Sequence, residues 1–433
     1  MIGPIISNTR GGPMNSRERV IEAIHHRTPD YVPLDLGASG QTGMSASTMY
    51  KLRKAYGLPE HPIRICEPFQ LLGEAEADLL KKVGADVIPL WNNGNLMGLS
   101  TSVTKPWKMS DGTPVLMPDN FEYDVDERGT TYVYPCGDRT APPSVRMPKG
   151  GSFFDNIDRA PDFDEDDLTP IEDFKDNYTL KTEEDCRYWE ETSRRLFETT
   201  DYAIIGVLGG MGLGDAAEVP GPFLKYPKGI RRFDDWLMAH LLYPDYIEAI
   251  FAYQTEVMLK NLEMYRQAVG SRIQIVWISG TDFGSQQGLI YSKDVFEKLY
   301  KPYYKQVNDW VHSHTPWKTF FHCCGAVAEL VPTFIEMGVD ILNPVQCSAK
   351  GMDVRMLKEK YGDKIVFWGG GVDSQKTLPS GTPEEVRREV LQHLAVLSKG
   401  GGYVFSSIHN VVAKVPVENV VAMYEAIREF RGI

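Results

Sequence analysis

From about residue 200 onward the chain alternates two patterns. A short run that is apolar in both phases gives way to a longer stretch with apolar positions every three or four residues. The short runs fall at 202–208, 273–278, 318–324, 339–344, 364–368 and 402–407. Runs without polar alternation predict strands buried on both faces, which is the condition of parallel sheets. The longer stretches predict helices at 183–198, 233–240, 246–268, 292–314, 327–337, 352–361, 382–399 and 417–430. Nearer the start, strands are predicted at 32–37 and 85–91, with helices at 15–27, 47–56 and 68–83. Pro29 blocks continuation of the first of these helices and Gly84 stops the last. Eight strands, nearly all followed by a helix, predict an α/β protein built as a single (β/α)₈ TIM-type barrel rather than an open sheet.

One segment breaks the rhythm. Residues 92–151 are rich in Gly, Pro and Asp, and their best strands, 113–117, 123–125 and 130–134, alternate polar with apolar. That pattern predicts a small antiparallel meander. The acidic run 162–167 follows as a solvated loop. We read 92–180 as a β-rich insertion after the second strand, serving as a lid or a homodimer contact. It divides the chain into 1–91, 92–180 and 181–433.

Composition narrows the function classes. The net charge of −13 over 433 residues gives no footing for nucleic acid or an anionic membrane surface. Residues 1–14 lack a basic region followed by an apolar one, and no apolar run approaches the roughly 20 residues of a membrane helix. The six cysteines are scattered and form no disulfide framework. A reduced, cytoplasmic protein is expected.

In such barrels catalytic groups sit at the C-terminal strand ends. That rule selects Asp35, Trp91, Asp282, His322, Cys324, Asn343, Asp373 and His409. Strand alternation puts His322 and Cys324 on one face and Cys323 on the other. Nitrogen and sulfur aimed at one point suggest zinc, which in catalytic sites takes three protein ligands. His409 is the best third ligand, the alternatives being a role beside the ligands or on the substrate. Asp282 either completes the shell, orients an imidazole or caps its loop; with His409 and Asp35 it is a catalytic candidate. Trp91, Phe283, Asn343, Trp368 and Asp373 are candidates for substrate binding, against barrel packing for the aromatic ones. Glycines 369–371 suit either an anion or close approach of a ligand, and 209–214 does not match dinucleotide-binding spacing.

Several motifs resemble the uroporphyrinogen decarboxylase superfamily. They are Ser16-Arg-Glu-Arg-Val-Ile-Glu-Ala, Phe321-His-Cys-Cys-Gly, Gly338-Val-Asp-Ile-Leu-Asn-Pro-Val-Gln, Phe367-Trp-Gly-Gly-Gly-Val-Asp, Ile408-His-Asn and Pro416-Val-Glu-Asn. The resemblance implies a (β/α)₈ barrel and two chemistries. Decarboxylases like the founding member carry an Arg-Gln-Ala-Gly-Arg-Tyr motif after the first strand. Here the region reads Asp35-Leu-Gly-Ala-Ser-Gly-Gln-Thr-Gly, without arginine, which argues against a polycarboxylate substrate. The other branch holds zinc methyltransferases that exchange methyl groups with a corrinoid protein through a His-x-Cys…Cys signature. His322-x-Cys324 is similar to its first half, and His409 stands where the last cysteine would be. Replacing a thiolate by an imidazole leaves zinc more positive, as a poor leaving group such as an aryl methyl ether demands. The expected activity is therefore methyl transfer from a small methylated donor, best a methoxylated aromatic, to a corrinoid on a separate protein. No Asp-x-His-x-x-Gly cobalamin motif occurs in this chain. A metal-free decarboxylase or lyase using Asp282 and His409, a methylcorrinoid:thiol methyltransferase, and a non-enzymatic corrinoid-delivery protein are the alternatives.

Overall fold

The computed structural model describes residues 13–209 and 211–433. The reading of the first residues as free of a leader falls, up to residue 12, outside them, as does Gly210 of the 209–214 loop. Strands β1 (Ile63–Glu67) and β2 (Leu72–Gly73) precede β3 (Val87–Leu90). Six short strands follow: β4 (Thr104–Lys108), β5 (Pro114–Pro118), β6 (Tyr123–Val125), β7 (Thr131–Val133), β8 (Val145–Met147) and β9 (Asp155–Asn156). Regular alternation with helices then carries β10 (Ala203–Gly206), β11 (Ile275–Ser279), β12 (Lys318–His322), β13 (Ile341–Asn343), β14 (Val366–Trp368) and β15 (Tyr403–Val404).

Seven of these strands form one curled, parallel sheet in the order β15-β14-β13-β12-β11-β10-β3. Its two edges are joined by the segment predicted as the first strand. Asp35 N–H donates to the Phe405 carbonyl and Phe405 N–H to the Pro33 carbonyl, both at 2.8 Å, while Asp86 N–H donates to the Leu34 carbonyl at 2.8 Å. Residues 33–35 thus occupy the eighth position of a closed barrel, although only a single bridge, Leu34 to Phe405, is regular enough to count as pairing. Pro33 has no N–H to give to a ladder, which limits the strand to this minimum.

Alternation along the strands separates two apolar layers. Val87, Ile205, Trp277, Phe320, Ile341 and Trp368 meet inside the barrel, and Val20, Ala23 and Ile24 of helix Ser16–Ile24 join them from below. That helix begins with a capping box between Asn15 and Glu18 and closes the floor. Phe321, Leu342 and Phe367 point outward into the helix layer. Asp86, 2% exposed, ties the floor together. Its carboxylate accepts from Ser16 Oγ (2.8 Å), Arg19 Nη1 (2.6 Å), Leu34 N–H (2.9 Å) and Arg431 Nη2 (2.8 Å).

Three expectations are corrected. The predicted helix 68–83 is helical only over Ala77–Val83. The Glu67 carboxylate accepts the N–H groups of Phe69 and Gln70, turning the chain so that β2 pairs antiparallel with β1. At Gly73 a Cβ would lie 2.7 Å from Ile63, so this close pairing requires glycine. The predicted helix 292–314 is two, Lys293–Leu299 and Lys301–His314, because Pro302 cannot continue the first. The antiparallel material also reaches outside 92–180: β1 and β2 form one four-stranded sheet with β5 and β4, and β6 to β9 form another. No helix among the described residues is long and apolar enough to cross a membrane.

Asp86→Ala leaves two buried guanidinium groups, Arg19 and Arg431, without their shared carboxylate. A loss of about 3–5 kcal/mol of unfolding free energy is expected, measured by urea titration of wild type and variant.

Candidate metal centre

β12 ends the inner row Phe320, His322 with a corner that glycine makes feasible. Gly325 has φ +93°, and a Cβ there would sit 2.2 Å from the backbone of Gly284. The corner is laced to the loop after β11 by three contacts. Cys324 N–H donates to Asp282 Oδ1 (2.6 Å), Ala326 N–H to the Ser285 carbonyl (2.8 Å), and Phe283 N–H to the Cys323 sulfur (3.2 Å). Cys323 is buried in the helix-side core, as alternation predicts, while His322 and Cys324 turn inward.

The orientation of His322 can be derived from its neighbours. The Trp368 carbonyl only accepts, so the Asn343 amide nitrogen must face it (3.0 Å) and the amide oxygen must face His322. His322 Nδ1–H therefore donates to Asn343 Oδ1 at 2.6 Å, leaving Nε2 free, 3.4 Å from Cys324 Sγ and 3.6 Å from Asp282 Oδ1. The His409 ring stands edge-on at 5.3 Å between centroids. The ligating atoms of His322, Cys324 and His409 all lie within 4.8 Å of one another.

Burial sets the protonation of this group. It lowers His322 to about 4 and lowers His409 as well, so both imidazoles are neutral at pH 7 and have a lone pair to offer. Burial, then the charge of Asp282, pushes the Cys324 thiol well up. Without a cation the sulfur stays protonated. Two neutral imidazoles, a thiol and an adjacent carboxylate fit zinc, and the hydrogen bond on Nδ1 is the support such a ligand needs.

The centre opens on a cavity of about 810 Å³ at the C-terminal ends of the strands, lined by His322, His409, Asp282 and Trp91. Asp282 is 47% exposed, into this cavity. Other predicted site residues lie elsewhere. Asp35 is 2% exposed; it accepts Trp368 Nε1–H (2.8 Å) and Ala38 N–H (2.9 Å), and burial raises it to about 6. It holds Trp368 and is not among the residues that line the cavity. Trp368 itself is packed inside the barrel against Phe320, and Phe283 sits in the helix-side aromatic cluster with Phe296 and Tyr300. Asn343 is fully buried and orients His322. Asp373 caps its own loop by accepting from Gln375 and Lys376 N–H. Of glycines 369–371, Gly369 and Gly371 donate their N–H groups to the Val404 and Ser406 carbonyls. A Cβ at Gly371 would meet the Phe405 ring at 2.5 Å, so the glycine serves strand packing.

Sequence reasoning missed two cavity carboxylates, Asp215 and Glu218. Burial is the main cause that raises both, and for Glu218 the neighbouring Asp215 adds to it. They stand on a long excursion after β10, too far from the strand end for the strand-end rule to find. In all, Glu67, Asp155, Asp215, Glu218 and Asp282 line the cavity, with no lysine or arginine among the described lining residues.

Residues 226–430 match the family model described as uroporphyrinogen decarboxylase (URO-D), a stretch that holds all of the motifs named above except the one beginning at Ser16. A uroporphyrinogen decarboxylase of Psychromonas ingrahamii is 33% identical over 87 residues, 19% of this chain and 24% of that protein. One from Pseudoalteromonas translucida is 29% identical over 96 residues, 21% and 26% of the two chains. The matched stretches thus span about a quarter of these curated relatives. Among solved structures, a methyltransferase from Methanosarcina mazei superposes with a TM-score of 0.54 at 16% identity, covering 96% of this chain and 99% of its own. That likeness is one of fold.

Two outcomes are expected of zinc titrations. Loading near pH 7 should release about one proton per zinc, from Cys324, because the imidazoles are already neutral; calorimetry in buffers of different ionisation enthalpy measures it. Asn343→Ala should weaken zinc affinity about 10–100-fold, read by competition with a chromophoric chelator.

Proposed function

We propose that the chain is a zinc-dependent methyltransferase. It would move a methyl group from a small methylated donor, best a methoxylated aromatic, to the cobalt of a corrinoid on a separate protein. The observation that carries this reading is the convergence of His322, Cys324 and His409 on one point at the edge of a large cavity with no lysine or arginine among its described lining residues. The fold relative from Methanosarcina mazei is itself a methyltransferase, which points the same way.

Zinc held there would act as a Lewis acid on the donor oxygen, and two imidazoles with one thiolate leave it more electrophilic than two thiolates would. The chain's own residues do the rest. Asn343 fixes the ring of His322, and Asp282 fixes the backbone of Cys324. Trp91, Trp236, Trp277 and Tyr291 give the cavity flat apolar walls suited to an arene. In the transfer the carbon–oxygen bond breaks with its electron pair on oxygen, and the methyl carbon bonds to cobalt(I). The departing oxygen would take its proton from the cavity wall, where burial raises Asp215 and Glu218 well above the ordinary carboxylate range.

A decarboxylase for a carboxylate-rich substrate is disfavoured by the same cavity, where no lysine or arginine among the described lining residues is present to pair with such a substrate. Thiol methylation is disfavoured by His409 in place of a second thiolate.

The test is methyl transfer to a reduced corrinoid protein from a panel of methoxyarenes, thiols and amines, with zinc measured on the same preparations. Zinc-dependent release of a phenol is expected, and His322→Ala and Cys324→Ala should each lower the rate about 10³-fold or more, the share of several kcal/mol that a Lewis acid supplies. Zinc-free protein with full activity, or variants that keep it, would refute the reading.

A further inference from the structure

Outside the cavity, the loops that follow β13 and β14 converge on the helix Pro383–Leu397. Cys347 comes from the first loop. Glu389 and His393 stand four residues apart on that helix and so share a face. The Cys347 sulfur, a Glu389 oxygen and a His393 nitrogen lie within 4.8 Å of one another, and all three residues are half-buried.

Each has a donor atom to spare. His393 Nδ1–H donates to the Gly370 carbonyl at 2.8 Å, which fixes the tautomer and leaves Nε2 as the free nitrogen. Glu389 Oε1 accepts Asp373 N–H at 2.6 Å, leaving its other oxygen. The charges that act on the thiol are Glu389 and Asp373, both negative, so a cation is the complement this cluster calls for.

We propose that Cys347, Glu389 and His393 form a second divalent-metal site, separate from the one at His322. A thiolate, an imidazole and a carboxylate are a zinc set by ligand chemistry. Zinc bonds of about 2.0–2.3 Å place tetrahedral ligand atoms roughly 3.4–3.8 Å apart, so a side-chain shift of about 1 Å closes the shell. Water or Asp373 completes it. None of the three residues lines the cavity. The site is structural: it pins the loops after β13 and β14 to the helix behind them. Those two strands end in Asn343 and Trp368, which orient His322, so the second metal braces the first from outside the barrel.

The test uses the full chain and zinc alone, and does not depend on any methyl-transfer result. Metal-depleted protein should bind two equivalents. Cys347→Ser and His393→Gln should each bind one, with proton release at the remaining site unchanged, and Cys324→Ser should also bind one. As a check free of folding artefacts, alkylation of Cys347 by iodoacetamide, followed by peptide mapping, should slow at least roughly tenfold when zinc is added to wild type, because a metal-bound thiolate is withdrawn from reaction. A single equivalent in wild type, or equal alkylation of Cys347 with and without zinc, would overturn the proposal.

Discussion

Closure of the barrel rests on one carboxylate. A parallel sheet curled into seven strands leaves two edges of unpaired backbone, and the segment that joins them, residues 33–35, has only a few hydrogen bonds with which to do it. Asp86 compensates. It accepts the N–H of Leu34 while binding Arg19 from the floor helix and Arg431 from the last helix, so the chain's two ends and its seam meet at a single buried group. Buried charge is stabilising only when every partner is present, and here the partners come from three separate parts of the chain: the floor helix, the seam and the last helix. The consequence reaches the top of the barrel. The closed seam puts Asp35 against Trp368, Trp368 against Asn343 and Asn343 against His322, a chain of hydrogen bonds from the first segment to the candidate metal centre.

At that corner the electrostatics are unbalanced in one direction. Burial strips the two imidazoles of charge and keeps the thiol protonated, and the surrounding cavity adds carboxyl groups with no lysine or arginine among its described lining residues. Such a vessel offers an anion no lysine or arginine partner among its described lining residues. The same deficit of positive charge makes a metal the natural completion of the donor set, since it is the one group able to draw the proton from Cys324 and hold the sulfur as thiolate.

The sequence made the barrel legible wherever burial on both faces left an apolar run without alternation, as in β11 to β15. Alternation within one run even sorted His322 and Cys324 from Cys323. It failed where a contact from afar decides the local form. The 68–83 stretch has helical periodicity, but the Glu67 carboxylate and the tight fit at Gly73 turn half of it into a hairpin. Aromatic residues at strand ends carried the least information. Trp91 reaches the cavity, whereas Trp368 fills the barrel and Phe283 fills the helix layer, and composition is identical for a ring that packs and a ring that binds. Asn343 was legible as a site residue but not in its role, which depends on which carbonyl its amide meets.

The helix Ser16–Ile24 lies across the floor with Val20, Ala23 and Ile24 in the barrel's inner layer. Its presence imposes an itinerary. With the lower end corked, whatever reacts beside His322 arrives and departs through the upper mouth, and a macromolecular partner seated on that mouth would seal it. Under the proposed methyl transfer, a small donor would have to be aboard before the partner lands, and the demethylated product would have to wait until the partner leaves. On that reading the order of encounter would follow from the architecture, ahead of any preference in affinity.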